Sequence, residues 1–253
     1  MLPWRHLFAG IIRTHQGNIV FLRLKQYYLN PLQSTSDNSY GTIGKWKLAW
    51  QQRAFRNQLI VFVIIFLGVL IAFPHFFSFI ESRRGYEIAD PLLYRIPAID
   101  LSPITFSIIW LMSLFLFIRM IQSPALAIQG VIAINLIFLT RMITIIVLPL
   151  EPPPGLIELK DPISNYFYGD QHGFITRDLF FSGHTSTMIM IGLLLPGKWE
   201  KWVAFSAAVA VGCLVLIQHI HYSIDVIGAW VFTWFLYKLA KAIAVEPQKA
   251  SPN

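Results

Sequence analysis

Three polar features stand out against an otherwise apolar chain: His184 in the stretch FFSGHT, His221 with Asp225 in HIHYSID, and Arg141 inside a long hydrophobic run. A carboxylate four residues after an imidazole, on the same helix face, can accept from one ring nitrogen. That fixes the tautomer and leaves the other nitrogen with its lone pair exposed, as a nucleophile or general base. A second histidine arriving from another helix can supply a proton to a leaving group. An arginine offers a forked, permanent positive charge that suits phosphate oxygens. Together these types suggest a site for a phosphate-bearing substrate. Zinc is the other chemical option for His184, His219, His221 and Asp225. However, His219 and His221, two apart on a helix, would point to different sides, and no Cys or HExxH spacing supports it.

Each feature alone has an ordinary explanation. A histidine near a span end is commonly interfacial, a His–Asp pair can satisfy itself within a bundle, and Arg141 could snorkel or pair with an acid of the 150–179 loop. The elements that carry them give the reason to read them together. The chain has 253 residues, 55% hydrophobic and 13% charged, against about 25% charged in a soluble domain. Its apolar runs reach the roughly 20 residues needed to cross a bilayer. The expected fold is all-α: a polytopic membrane protein of six helices over 59–80, 103–121, 124–149, 180–196, 201–219 and 221–244. A basic N-terminal region, 1–57, precedes the membrane domain, 58–245, and a short tail, 246–253, follows it. Within 1–30, apolar and basic positions mix as in a helix lying on a membrane surface, and 31–43 reads as a linker. The single cysteine, Cys213, permits no intrachain disulfide.

Charge supplies the orientation. Residues 1–57 hold eight basic side chains and one acid, which accounts for the whole net charge of +7. A basic patch just ahead of a span suits anionic lipid and a cytoplasmic location rather than nucleic acid. Both termini are then inside, and the acid-rich loops 81–102 and 150–179 lie outside. His184 starts the fourth span, His221 and Asp225 start the sixth, and Arg141 sits about 12 Å below the outer end of the third at ~1.5 Å per residue. All fall at similar depth near the outer face, where ionisable groups tend to face a cavity, a partner or a substrate.

These residues resemble a known family. Asp178-Leu-Phe-Phe-Ser-Gly-His184-Thr185 is similar to the D-x-x-(F/Y)-S-G-H-T motif of the sphingomyelin synthases and their relatives, and His219-Ile-His221-Tyr-Ser-Ile-Asp225-Val226 to their H-x-H-Y-(T/S)-(I/V)-D-V motif. Arg141-Met-Ile-Thr144, running on to Leu148-Pro149, resembles their R-x-x-T segment. That family is a branch of the lipid phosphate phosphatase superfamily, with signatures KxxxxxxRP, PSGH and SRxxxxxHxxxD. Here Phe181 replaces the Pro of PSGH, Val215 stands at the Arg of the third signature, and Leu148 at the Arg of the first. The loss of two phosphate-binding arginines points from an ordinary phosphatase towards headgroup transfer.

The resemblance implies that His221, oriented by Asp225, attacks the phosphorus of a phospholipid and forms a phosphohistidine. His184 would protonate the departing diacylglycerol and then deprotonate the hydroxyl of an acceptor, ceramide or diacylglycerol. Arg141, Thr144, Asp178, Ser182, Gly183, His219 and Tyr222 would line the phosphate site, with Gly183 allowing close substrate approach. It implies no metal and no other cofactor. The expected partners are the headgroup donor, the lipid acceptor and the membrane, with association between copies left open. A hydrolase of the same architecture and a non-catalytic lipid transporter are the alternatives.

Overall fold

The computed structural model describes residues 41–159 and 175–247. The surface helix expected within 1–30, most of the 31–43 linker, part of the second long loop and the end of the tail lie outside the described residues. The described chain forms seven α-helices: α1 Thr42–Gln51, α2 Arg53–Ser82, α3 Ser102–Gln122, α4 Pro124–Val147, α5 Gly183–Leu194, α6 Lys198–Ile217 and α7 Ser223–Ile243, with one 3-10 turn, Leu93–Arg95. Among the described residues the only strand-like pairing is a single bridge, Tyr86 to Leu150.

Five helices, α2, α3, α4, α6 and α7, are long and apolar enough to cross a membrane, as a multi-pass membrane protein requires. The fourth expected span differs. Its helix, α5, has only 12 residues, or roughly 18 Å at helical rise against a hydrocarbon core of about 30 Å. The reason is local. Phe180 and Phe181 form a bend, outside any helix, whose backbone groups bond to other segments, and Leu195-Pro196-Gly197 stops the far end. A second difference lies at the start of the described chain. Residues 42–51, assigned to the linker and the basic region, form α1, because Trp46 can dock there. Its indole N–H donates to the Ile121 carbonyl at 2.6 Å, and Ala49 is buried beneath it.

The helix starts follow from capping residues. Ser123 caps α4, accepting the Leu126 N–H at 3.3 Å, with Pro124 in the first turn. Ser182 caps α5 through the Thr185 N–H at 3.3 Å. Asp100 accepts both the N–H and the hydroxyl of Ser102 at the start of α3. At α6, Glu200 accepts the Gly197 N–H at 2.9 Å.

Helix α5 is the centre of the bundle. Eight of its 12 residues are buried, including Met188, Ile189 and Ile191, as expected of a helix apolar on every side. It packs against α6 and α7, and also touches α3 and α4. The buried face of α6 consists of Ala204, Ala208, Val211, Gly212 and Val215, small residues that let membrane helices approach closely. Outward faces stay apolar but exposed, for example Ile64 and Ile71 on α2, as a lipid-facing surface demands.

Over the end where α5 begins, two loop segments are bound to the helix ends. Glu151 accepts the Gly85 N–H at 2.8 Å, and the Tyr86 bridge adds bonds of 2.9 and 3.0 Å to Pro149 and Glu151. Asp90 accepts the Ser223 N–H at 2.6 Å, anchoring the start of α7. Burial pushes the Asp90 carboxyl up, but its bonds from Ser223, Leu92 and Leu93 outweigh that and hold it below its ordinary value of 3.8. The Gly85 N–H, assisted by Arg177, holds Glu151 below its ordinary 4.5. Both carboxyls are therefore easier to ionise folded than unfolded. Their contribution to stability is fully present above the ordinary carboxylate range and is lost as pH falls through the lowered folded values. Thermal unfolding of the protein in detergent micelles should give a midpoint that is level from pH 7 to about 5 and drops below about pH 4. Asp90→Asn should lower the midpoint at pH 7 and shrink the acid-side drop.

Candidate active site

The pair at the start of α7 is almost wholly enclosed. His221 is 1% and Asp225 0% exposed, with His221 Nδ1 3.3 Å from Asp225 Oδ2. The pair does not share a helix face as expected, because α6 ends at Ile217 and α7 begins only at Ser223. His219, at φ 56°, turns the chain between them. The contact forms because Asp225 lies in the first turn of α7 and reaches back. The same Oδ2 accepts the Tyr222 N–H at 2.9 Å, while Oδ1 is buried without a hydrogen-bond partner among the described residues. With Nδ1–H directed at Asp225, Nε2 of His221 carries the lone pair.

His184 is the second residue of α5. Its ring lies 6.2 Å from that of His221, centroid to centroid, inclined at 62°. Phe106 of α3 meets its other side edge-on at 6.1 Å. The two motifs are also tied through the backbone, since the Ser182 N–H donates to the Asp225 carbonyl at 3.1 Å. Thus the two histidines, remote in sequence, occupy one site.

Arg141 and Thr144 brace this arrangement from α4. Arg141 Nε donates to the Phe181 carbonyl at 2.8 Å, and Nη2 lies 2.8 Å from Asp178 Oδ1. The Thr144 hydroxyl is 2.8 Å from the Phe180 carbonyl oxygen and 3.1 Å from that of Arg141, either of which can take its proton. One helical turn of α4 therefore holds two successive carbonyls of the bend before α5. Asp178 faces Arg141 rather than a histidine. The space over Gly183 is filled by the same guanidinium: a Cβ there would sit 2.6 Å from Arg141 Cζ. The Ser182 hydroxyl accepts from the Thr185 N–H and donates to Thr185 Oγ1 at 3.1 Å.

The remaining expected residues bind backbone. His219 turns away from the pair, its Nδ1 and Nε2 each 2.9 Å from a carbonyl oxygen, of Pro154 and Ile96 respectively. His184, His219, His221 and Asp225 thus do not converge as a zinc set would, and no metal-ligand cluster occurs among the described residues. The buried Tyr222 donates its hydroxyl to the Glu151 carbonyl at 3.1 Å and accepts the Ile88 N–H at 3.3 Å.

Sequence reasoning passed over the supports of the segment before α5. Glu81 accepts the N–H groups of Thr176 and Arg177, both at 2.7 Å, and Arg177 pairs with Glu151 at 2.8 Å. Their signal was the mixing of arginines with acids in the two long loops. Gln218, fully buried, accepts the Leu101 N–H and donates to Ser102 Oγ at 2.8 Å. An amide at the end of an apolar helix could have marked it.

Residues 177–242 match the family model described as PAP2 superfamily C-terminal. The match takes in Asp178, His184, His221 and Asp225, and leaves Arg141 and Thr144 upstream. It supports membership of the lipid phosphate phosphatase superfamily, and with it an enzyme of phosphatase or phosphotransferase type acting on lipids at a membrane. No curated protein was found to match the chain.

Gly183→Ala tests the packing of the brace. The added methyl group must displace the Arg141 guanidinium, and overpacking of this kind costs about 1–3 kcal/mol. A lowered unfolding midpoint in micelles, partly restored by Arg141→Ala in the same chain, is the expected outcome. An unchanged midpoint would show that Arg141 does not occupy that space.

Proposed function

We propose that the chain is a lipid phosphotransferase that moves a phosphocholine or phosphoethanolamine headgroup from a glycerophospholipid to ceramide or diacylglycerol. The observation that carries this reading is the facing of His184 and His221 at 6.2 Å, with Asp225 behind His221. His221 Nε2 attacks the donor phosphorus, the bond from phosphorus to the glycerol oxygen breaks, and His184 gives that oxygen its proton. Diacylglycerol leaves and the headgroup stays on His221. The acceptor hydroxyl then attacks phosphorus, His184 takes its proton, and the phosphorus–nitrogen bond breaks to restore His221. Asp225 holds His221 in the required tautomer and offsets the positive charge that develops on it.

Arg141, Thr144 and Asp178 act in this scheme as positioning residues for the segment that presents His184. Transfer is favoured over hydrolysis by two letters that depart from the phosphatase signatures. Leu148, where the first signature has Arg, is the C-terminal cap of α4, and Val215, where the third has Arg, is buried in the core. Neither offers phosphate a cation. The charge pattern of the loops supports a location of the site at the non-cytoplasmic face. A second reading is hydrolysis with water as acceptor, which the superfamily match admits equally.

Purified protein in mixed micelles, given fluorescent ceramide and either phosphatidylcholine or phosphatidylethanolamine, separates the two. Transfer gives a phosphorylated ceramide; headgroup release into water without that product would overturn transfer in favour of hydrolysis. His221→Ala, His184→Ala and Asp225→Asn should each lower turnover by at least about 100-fold. Wild-type rates in any of them would remove that residue from the scheme.

A further inference from the structure

At the end of α5 away from the histidines, the bundle carries a polar hollow. A cavity of about 490 Å³ opens between α1, the α3–α4 turn and the end of α5. Lys45, Arg119, Gln122 and Gln129 line it, over apolar walls from Leu126 and Leu194. Its two ionised lining groups are both cations. Lys45 makes no ion pair among the described residues. Arg119 is held in place by its Nη1 bond to Gln122 at 2.8 Å and by Glu200, 3.1 Å from Nε. Its Nη2 has no acceptor among the described residues. Of the two acids nearby, Glu200 is paired with Arg119 and accepts the Gly197 N–H, while Glu246 keeps its charge and is turned to the Gln129 amide at 3.0 Å.

The surroundings fix the depth of this cavity. Trp50 at the end of α1, and Trp199 and Trp202 at the start of α6, are 46%, 66% and 74% exposed at the same end. Tryptophans with an outward ring beside Lys198 and Lys201 mark the headgroup level of a membrane. A pocket at that level, cationic inside and apolar along its wall, matches a ligand with a negative phosphate and hydrocarbon chains. A zwitterionic headgroup brings its own ammonium close to Lys45 and Arg119, whereas an anionic one does not.

We infer that this cavity binds the phosphate of an anionic phospholipid from the leaflet opposite the histidine site. Lys45 and the free edge of Arg119 meet the phosphate oxygens, the glutamine amides meet the headgroup hydroxyls, and one acyl chain lies along Leu126 and Leu194. About 15 Å along α5 separates His184 from Leu194 of this site, so it stands apart from the substrate site and does not depend on the reaction proposed above.

The test is a titration of the full-length protein in neutral detergent, read by its unfolding midpoint. Short-chain phosphatidylglycerol should raise the midpoint saturably and in a Lys45-dependent way, inorganic phosphate should do so far more weakly, and any response to short-chain phosphatidylcholine should be independent of Lys45. Lys45→Gln should weaken the phosphatidylglycerol response about fivefold, Lys45→Glu should weaken it further, and His221→Ala should leave it intact. A phosphatidylcholine response that Lys45→Glu lowers as much as the phosphatidylglycerol response, or a phosphatidylglycerol response unchanged in Lys45→Glu, would overturn the inference. Inorganic phosphate acting as strongly as the lipid would assign the site to free phosphate instead. Loss of the response in His221→Ala would place the binding at the histidine end and equally overturn it.

Discussion

A carboxylate with no exposure, in a bundle whose other surfaces are hydrocarbon, is costly unless it is bonded. Asp225 meets that constraint by organising its neighbours. Its Oδ2 holds the Tyr222 N–H and faces His221, which starts α7 and aims the imidazole. Its backbone carbonyl receives the Ser182 N–H, which fixes where α5 begins. One residue thus joins two motifs more than forty positions apart, so the distance between the histidines follows from a few short bonds around it.

The irregular segment before His184 meets the same demand from the other side. Its carbonyls cannot bond to water at that position and have no helix of their own, so Arg141 and Thr144 supply donors from α4. Upstream, Glu81 and the Arg177–Glu151 pair hold Thr176 and Arg177. Polar side chains that could have contacted substrate directly are engaged in keeping irregular backbone in place. Irregular backbone within a membrane protein is tolerated where protein groups satisfy it.

Much of this was legible beforehand. Hydropathy marked every long helix, because lipid-facing residues such as Ile64 and Ile71 must be apolar whatever they pack against. The site residues were legible as residue types, since an imidazole and a carboxylate in an apolar chain are too unfavourable to be incidental. Their orientations were not. Nothing in the letters shows that His219 faces two carbonyls, that Tyr222 joins two loops, or that a guanidinium covers Gly183. Backbone acceptors have no sequence signature, and all three outcomes are set by them. The same blindness stretched the fourth helix over Phe180 and Phe181, which are apolar enough to extend a span but are held in a bend ahead of it. It also hid α1, whose basic residues masked the docking of Trp46.

Both histidines sit at places where helices start: His184 in the first turn of α5, and His221 two residues ahead of α7. Each helix start carries a partial positive charge, about half an elementary charge, from its aligned peptide dipoles. The two starts are not equivalent: at α7 the charge is already met by carboxylates, Asp225 on the Tyr222 N–H and Asp90 on the Ser223 N–H, whereas at α5 the Thr185 N–H is capped by the neutral Ser182 hydroxyl. The dipole left without a countercharge beside the histidines is therefore that of α5, and a negative group meeting the two rings is favoured from the His184 side.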